Sequence, residues 1–167
     1  MGVETGKAFS GSVVAMAVAG TAALVTQQPW LFPSLGPTVM LHVEQPRAPQ
    51  SSPRSTLYGH GIALLVGYAA LVVCGLADEP SALQAGVSAP RIAAAAGSLG
   101  LTAALLVPLR ATHPPAGATT LIVSLGLLHT PSELLVAFAA VVLVTVVDGL
   151  FCRVTGPTMP LWRIKDR

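Results

Sequence analysis

His113-Pro114-Pro115-Ala116-Gly117-Ala118-Thr119-Thr120 decides how the rest of this chain is read. The stretch lies between two long apolar runs, yet it carries a histidine, a double proline and two adjacent threonines. A continuous helix cannot pass a double proline without losing backbone hydrogen bonds. In a membrane, non-helical backbone survives only where protein or a water-filled cavity covers it. The stretch therefore marks either a loop at the membrane edge or the lining of a permeation path.

The same design stands earlier in the chain. Residues 21–41 read TAALVTQQPWLFPSLGPTVML, and residues 102–122 read TAALLVPLRATHPPAGATTLI. In one register Thr21 to Leu24 falls on Thr102 to Leu105, Pro33 on Pro114, Gly36 on Gly117 and Thr38 on Thr119. In a second, shorter register Val72 to Leu76 falls on Val146 to Leu150. Matches of Ala and Leu are cheap in apolar sequence, but matched Pro, Gly and Thr are not. The pattern predicts an internal tandem repeat, a common construction in transporters.

The chain has 167 residues, 53% of them hydrophobic and only 10% charged. Mean hydropathy is +0.71. A soluble domain carries about 25% charged residues, so this composition belongs to a membrane protein. Four runs are long and apolar enough to span: Ala8–Thr26, Gly59–Ala77, Ile92–Leu109 and Leu134–Phe151. No lipidation motif or cleavable leader is read, because Glu4 stands beside Lys7 before the first run. Cys74 and Cys152 show no metal or redox spacing. With four spans, one side receives Lys7, Arg91, Arg153, Arg163, Lys165 and Arg167, and the other receives Arg47, Arg54 and Arg110. This asymmetry places both termini in the cytoplasm of a cell whose inner (plasma) membrane holds the protein. The basic tail is a topology determinant and lipid contact, with no nucleic acid implied.

The expected fold is an all-α membrane protein of one domain, residues 1–167. The first half, residues 8–77, holds two spans around a short helix at 34–43. The second, residues 91–153, holds two spans around a short helix at 114–128. Residues 154–167 form a basic cytoplasmic tail. Proline favours a first helical turn, with Ser or Thr just before it, so each break opens a half-helix. Both half-helices are expected to be re-entrant from the outer side. Two full spans per half give the halves one orientation, related by an axis along the membrane normal. Small residues recur at packing spacing: Gly59, Ala63, Gly67 and Gly75; Ala89, Ala93 and Gly97; Ala96, Gly100 and Ala104. They suit close helix approach in lipid, and a homo-oligomer is expected.

Few polar groups are available for chemistry. Ser34, Thr38, Thr119 and Thr120 offer hydroxyls, while Gly36 and Gly117 leave backbone open to close approach. A helix N-terminus carries unpaired N–H groups and roughly +0.5 of an elementary charge. Two such ends converging favour a small anion, and His113 adds an imidazole that titrates near neutrality. Arg54, Arg110 and His60 are read as groups at the mouth that draw anions in. His42 and His129 are read as interfacial. Asp148 is a candidate by its depth alone. In the broken segments the carboxylates are Glu44 and Glu133, at the ends, which disfavours a cation. No metal, cofactor or catalytic fingerprint is found, so no enzyme is expected.

Three blocks in this order resemble the HPP family of integral membrane proteins: Ser34-Leu35-Gly36-Pro37-Thr38; Ser52-Pro53-Arg54-Ser55-Thr56-Leu57-x-Gly59-His60; and His113 to Thr119. The family is named for its His-Pro-Pro motif and described as having four transmembrane helices. Its plant and cyanobacterial members are associated with nitrite transport. The resemblance therefore implies a transporter for a nitrite-type anion. Ser55 stands where the family often has Asn, which removes an amide from that position. The alternative is a membrane anchor or sensory module serving a partner protein; it would need no interrupted helices.

Overall fold

The computed structural model describes residues 2–156 and 158–163. Its helices are α1 (Gly2–Thr26), α2 (Leu35–Glu44), α3 (Pro53–Val73), α4 (Ala82–Ala85), α5 (Ala89–Leu106), α6 (Pro115–Ser124) and α7 (Pro131–Thr155). A single 3-10 turn covers Pro49–Ser51. No strand occurs among the described residues. Four helices, α1, α3, α5 and α7, are long and apolar enough to cross a membrane. Lys165 and Arg167, in the expected tail, lie outside the described residues.

Three of the long helices start by one local rule. Ser52, Ser88 and Thr130 each precede a proline-containing first turn, and each side chain accepts from a backbone N–H three residues on. Proline costs nothing there because that turn's N–H has no helical partner. These caps start α3 and α7 several residues before their apolar runs. α6 stops at Ser124, short of the expected 128, because Gly126 turns the chain at φ 78°. The α2 and α6 boundaries otherwise agree with the sequence. Thr26 and Leu106, Leu35 and Pro115, and Glu44 and Ser124 stand at one constant offset. The second register fails: Gly75 lies in a left-handed turn after α3, while Gly149 lies inside α7.

The directions of the helices differ from the expectation of two halves sharing one orientation. A Cβ on Gly11 would touch Phe151, and Lys7 lies on Gly156, so α1 and α7 are antiparallel. Gly61 meets Phe138, and the start of α3 at Pro53 and Leu57 lines one cavity with the last turns of α7. Hence α3 is also antiparallel to α7, and parallel to α1. Gly59 meets His113 and Gly67 meets Val123, so α6 runs parallel to α3. Arg91, at the start of α5, lies on Gly126 after the end of α6, so α5 runs down against α6.

α1 and α3 therefore run one way, and α5 and α7 the other. Each broken segment carries the chain from one face of the bundle to the opposite one, instead of returning it to the face it left. The expected re-entrance and the expected shared orientation both give way for this reason. A run of apolar residues has no direction of its own, and the expected re-entrant half-helices returned the chain to the face it left.

The charges redistribute accordingly. Lys7, Arg47, Arg54, Arg110, Arg153 and Arg163 stand on the face where α1 starts, and Arg91 alone among the described basic residues stands on the other. Arg91 is buried there, donating to the Pro80 carbonyl at 2.7 Å.

The surface is apolar, and the apolar core encloses many buried polar side chains. Val3, Phe9, Leu24, Val25, Leu65, Leu135 and Val154 are exposed, as suits lipid contact. Gly59, Ala63 and Gly67 press α3 onto α6, within the chain. Ala89, Ala93, Ala96, Gly97, Gly100 and Ala104 on α5 face outward instead.

Candidate functional site

α2 and α6 meet near their N-terminal ends, side by side and antiparallel. Ser34 Oγ lies 2.6 Å from Thr119 Oγ1, and Thr38 Oγ1 lies 3.5 Å from His113 Nε2. Between them sits His60 of α3. Its Nε2 is 2.9 Å from Thr38 Oγ1, and its Nδ1 is 2.7 Å from Thr119 Oγ1. All five residues are buried. The structure thus brings together Ser34, Thr38, His113 and Thr119 of the expected site. His60, expected at a mouth, stands at the centre.

The network fixes its own donors. His113 Nδ1–H donates to the Gln50 carbonyl at 2.8 Å, so the neutral ring offers Nε2 as an acceptor. His60 Nε2–H, 3.2 Å away, supplies that proton. His60 Nδ1 then accepts from Thr119 O–H, and Thr119 accepts from Ser34 O–H. Hydroxyl, hydroxyl, imidazole and imidazole all donate in one direction, ending on a carbonyl near the basic face. Thr38 returns its own proton to the Ser34 carbonyl at 2.9 Å, so its oxygen shares the His60 proton.

Backbone N–H groups contribute less than the sequence promised. Pro114 and Pro115 have none, and Ala116 and Gly117 donate to the carbonyls of His113 and Pro114. In α2, Pro37 has none and Leu35 donates to Phe32. The prolines that start the short helices also remove the orphan donors. The groups that meet between α2, α3 and α6 are hydroxyls and imidazoles.

Other expected site residues lie elsewhere. A Cβ on Gly36 would meet nothing within 4 Å, and one on Gly117 would meet only Leu99 at 3.3 Å. Thr120 bonds Thr102 of α5 at 3.0 Å, away from His60. Arg54 and Arg110 do share a cavity of about 140 Å³ with Arg163, Ser52 and Ser55. Arg54 donates to the carbonyls of Leu109 and Arg110 and lies over the Tyr58 ring. Pro49 and Ser52, which also line the cavity, stand on either side of Gln50 in sequence, the residue on whose carbonyl the hydrogen-bonded chain ends.

A second buried group joins Asp148, a candidate by depth, to a histidine that was not one. His42, read as interfacial, is fully buried; its Nδ1 lies 2.8 Å from Asp148 Oδ2 and its Nε2 lies 2.9 Å from Thr56 Oγ1. The missed signal was a polar stripe. Ser34, Thr38 and His42 recur every fourth residue on α2, and Ser52, Thr56 and His60 do the same on α3. Such a spacing puts each set on one helix face. His42, His60 and His113 cluster, but no set of three His, Cys, Asp or Glu among the described residues is placed to hold a metal.

Helices with apolar outer faces and buried polar groups between them, several long enough to span, define a multi-pass integral membrane protein. The family described as the HPP transmembrane region matches residues 3–160, and the chain belongs to that family. No curated protein and no solved structure matches it.

Proposed function

We propose that this protein carries a small inorganic anion across the membrane, nitrite first and nitrate second. The observation that carries this reading is the meeting of two interrupted crossings at a buried imidazole, beside a cavity lined by three arginines. An ordinary bundle has no use for broken crossings, because every freed backbone group needs a substitute partner. Arg54, Arg110 and Arg163 draw an anion to the cavity by their local field. Ser34, Thr38, His60, His113 and Thr119 then replace its lost water with hydroxyl and imidazole donors. The direct bonds of 2.6 to 2.9 Å among these groups describe a closed state, so an anion enters only as α2 and α6 separate. The family resemblance singles out nitrite within this class of ligand.

In this reading the halves are an inverted repeat. α1, α2 and α3 go up, down and up, while α5, α6 and α7 go down, up and down. Such repeats meet at a central site and open alternately to the two sides. The basic face, which holds both ends of the described bundle, is cytoplasmic by the positive-inside rule. No catalysis is assigned.

The test is flux into proteoliposomes of nitrite, nitrate, chloride and formate, with and without a pH gradient. Nitrite and nitrate entry above protein-free vesicles is expected. Entry of none of the four overturns the reading.

A further inference from the structure

α2 and α3 face each other through two reciprocal bonds. Thr38 on α2 bonds His60 on α3, and Thr56 on α3 bonds His42 on α2, both at 2.9 Å. Each threonine sends its own proton back one turn, Thr38 to the Ser34 carbonyl and Thr56 to the Ser52 carbonyl. Each therefore accepts from a histidine Nε2–H. At Nε2 the His60 proton is also shared with His113, 3.2 Å away; the larger difference between the two histidines is at Nδ1. His60 meets the Thr119 hydroxyl there, while His42 meets the Asp148 carboxyl.

We propose that His42 and Asp148 are a proton-binding site that couples a proton to the anion; this rests on the transport reading above. One proton lies between Nδ1 and Oδ2. Whichever atom holds it, the pair is neutral overall, which suits a site with no exposed surface. Release to water leaves a neutral imidazole and a carboxylate, with one net negative charge. That state is tolerable only when the site opens, so unloading is tied to movement of α2. The same short helix carries Ser34 and Thr38, two turns and one turn before His42. One proton and one monovalent anion cross as a neutral load.

A purely structural pair would not need a carboxyl, because a hydroxyl suffices at His60. It would also satisfy both oxygens, yet Asp148 Oδ1 is buried with no hydrogen-bond partner among the described residues. The hydroxyl–imidazole–carboxyl order also occurs in hydrolases. Here the hydroxyl proton is committed to Ser52 and Thr56 is sealed from solvent.

Other groups face the pair from each packed element. α3 supplies Thr56, and α7 itself supplies Cys152, whose thiol lies 3.7 Å from the His42 carbonyl. α1 brings Lys7, paired with Glu4 at 3.7 Å, against the end of α7 at Gly156. Beyond His42 stands His113, with ring centroids 6.2 Å apart, and then His60. Glu4 is the one carboxylate among these, and it is exposed and paired with Lys7.

The experiment follows proton and nitrite movement together in liposomes containing a trapped pH dye, with protein-free vesicles giving the leak of nitrous acid. Wild type is expected to move one proton per nitrite. Asp148→Asn and His42→Gln should lose nitrite-linked proton movement yet still exchange labelled nitrite, which also shows that they fold. Asp148→Glu should restore coupling. Nitrite crossing wild type without protons, or Asp148→Asn coupling as wild type does, overturns the proposal while leaving transport intact. If Asp148→Asn does not fold, the wild-type proton count decides. No nitrite or nitrate flux in wild type sinks the transport reading, and the coupling with it.

Discussion

Thr38 and Thr119 hold opposite edges of one imidazole, the former at His60 Nε2 and the latter at Nδ1. They are also the two threonines that align when the halves of the sequence are superimposed. They meet because α2 and α6 lie antiparallel and overlap near their N-terminal ends.

Removing the Thr119 hydroxyl strands a buried ring nitrogen, and removing that of Thr38 takes the nearer of two partners from the other. An unsatisfied buried donor or acceptor costs about 1–3 kcal/mol. Thr119→Val leaves His60 Nδ1 without its donor, and Thr38→Val leaves the Nε2 proton to His113 alone. Each variant should lower the thermal unfolding midpoint in detergent and reduce nitrite flux at least tenfold. A Thr119→Ser variant keeps the hydroxyl and should retain most of the flux. Full flux in both valine variants would separate His60 from the path.

The elements of this fold were legible and their directions were not. Hydropathy places four spans, and Pro33 and the His113-Pro114-Pro115 motif place the breaks. The register that aligns Pro33 with Pro114 matches the bounds of α2 to those of α6 within one residue. Direction is set by which faces touch, such as Gly11 on Phe151 and Gly61 on Phe138, and apolar residues carry no label for that. Counting the breaks as crossings would have put six of the described basic residues on one face and Arg91 on the other, a sharper division than the one the sequence first suggested. The site was half legible. Its hydroxyls and His113 were found from motif and repeat. Asp148 was a candidate by depth alone, with no partner assigned; His42 was read as interfacial and Thr56 was given no role, and only the four-residue polar spacing along α2 and α3 announces those two.

Glycine substitutions separate packing from the path. A Cβ on Gly67 would stand 2.9 Å from Val123 Cβ and 3.0 Å from the Thr120 carbonyl. Backbone cannot yield there, so Gly67→Ala should destabilise by about 1–3 kcal/mol. Gly36 has open space around it, so Gly36→Ala should be neutral, or stabilising by up to about 1 kcal/mol through helix propensity. Thermal unfolding in detergent measures both. Equal midpoints for the two variants would mean that α3 and α6 are not in this contact.

The arginine cavity predicts a salt-dependent effect. Exposed charges act over about 10 Å at 0.1 M ionic strength and less above it. Arg163→Gln, which leaves the carbonyl bonds of Arg54 intact, should raise the KM for nitrite several-fold at low salt. The difference should shrink when potassium gluconate is added, with kcat nearly unchanged. A KM that does not respond to salt would indicate that the cavity acts by shape and not by charge.

Accessibility to a membrane-impermeant thiol reagent tests the arrangement of crossings directly. The background is Cys74→Ser with Cys152→Ala. Arg47 lies in the turn between α2 and α3, on the face where α1 starts, and Gln84 lies in α4, on the other face; both are exposed. The four-span arrangement would put residue 47 outside and residue 84 inside. With the breaks as full crossings and the basic face inward, the sides exchange. Arg47→Cys should therefore react only after the cells are opened, and Gln84→Cys should react in intact cells. Both reacting in the opposite sense would invert the protein in the membrane. Both reacting from one side would mean that α3 does not connect the two faces, and the inverted repeat would fail with it.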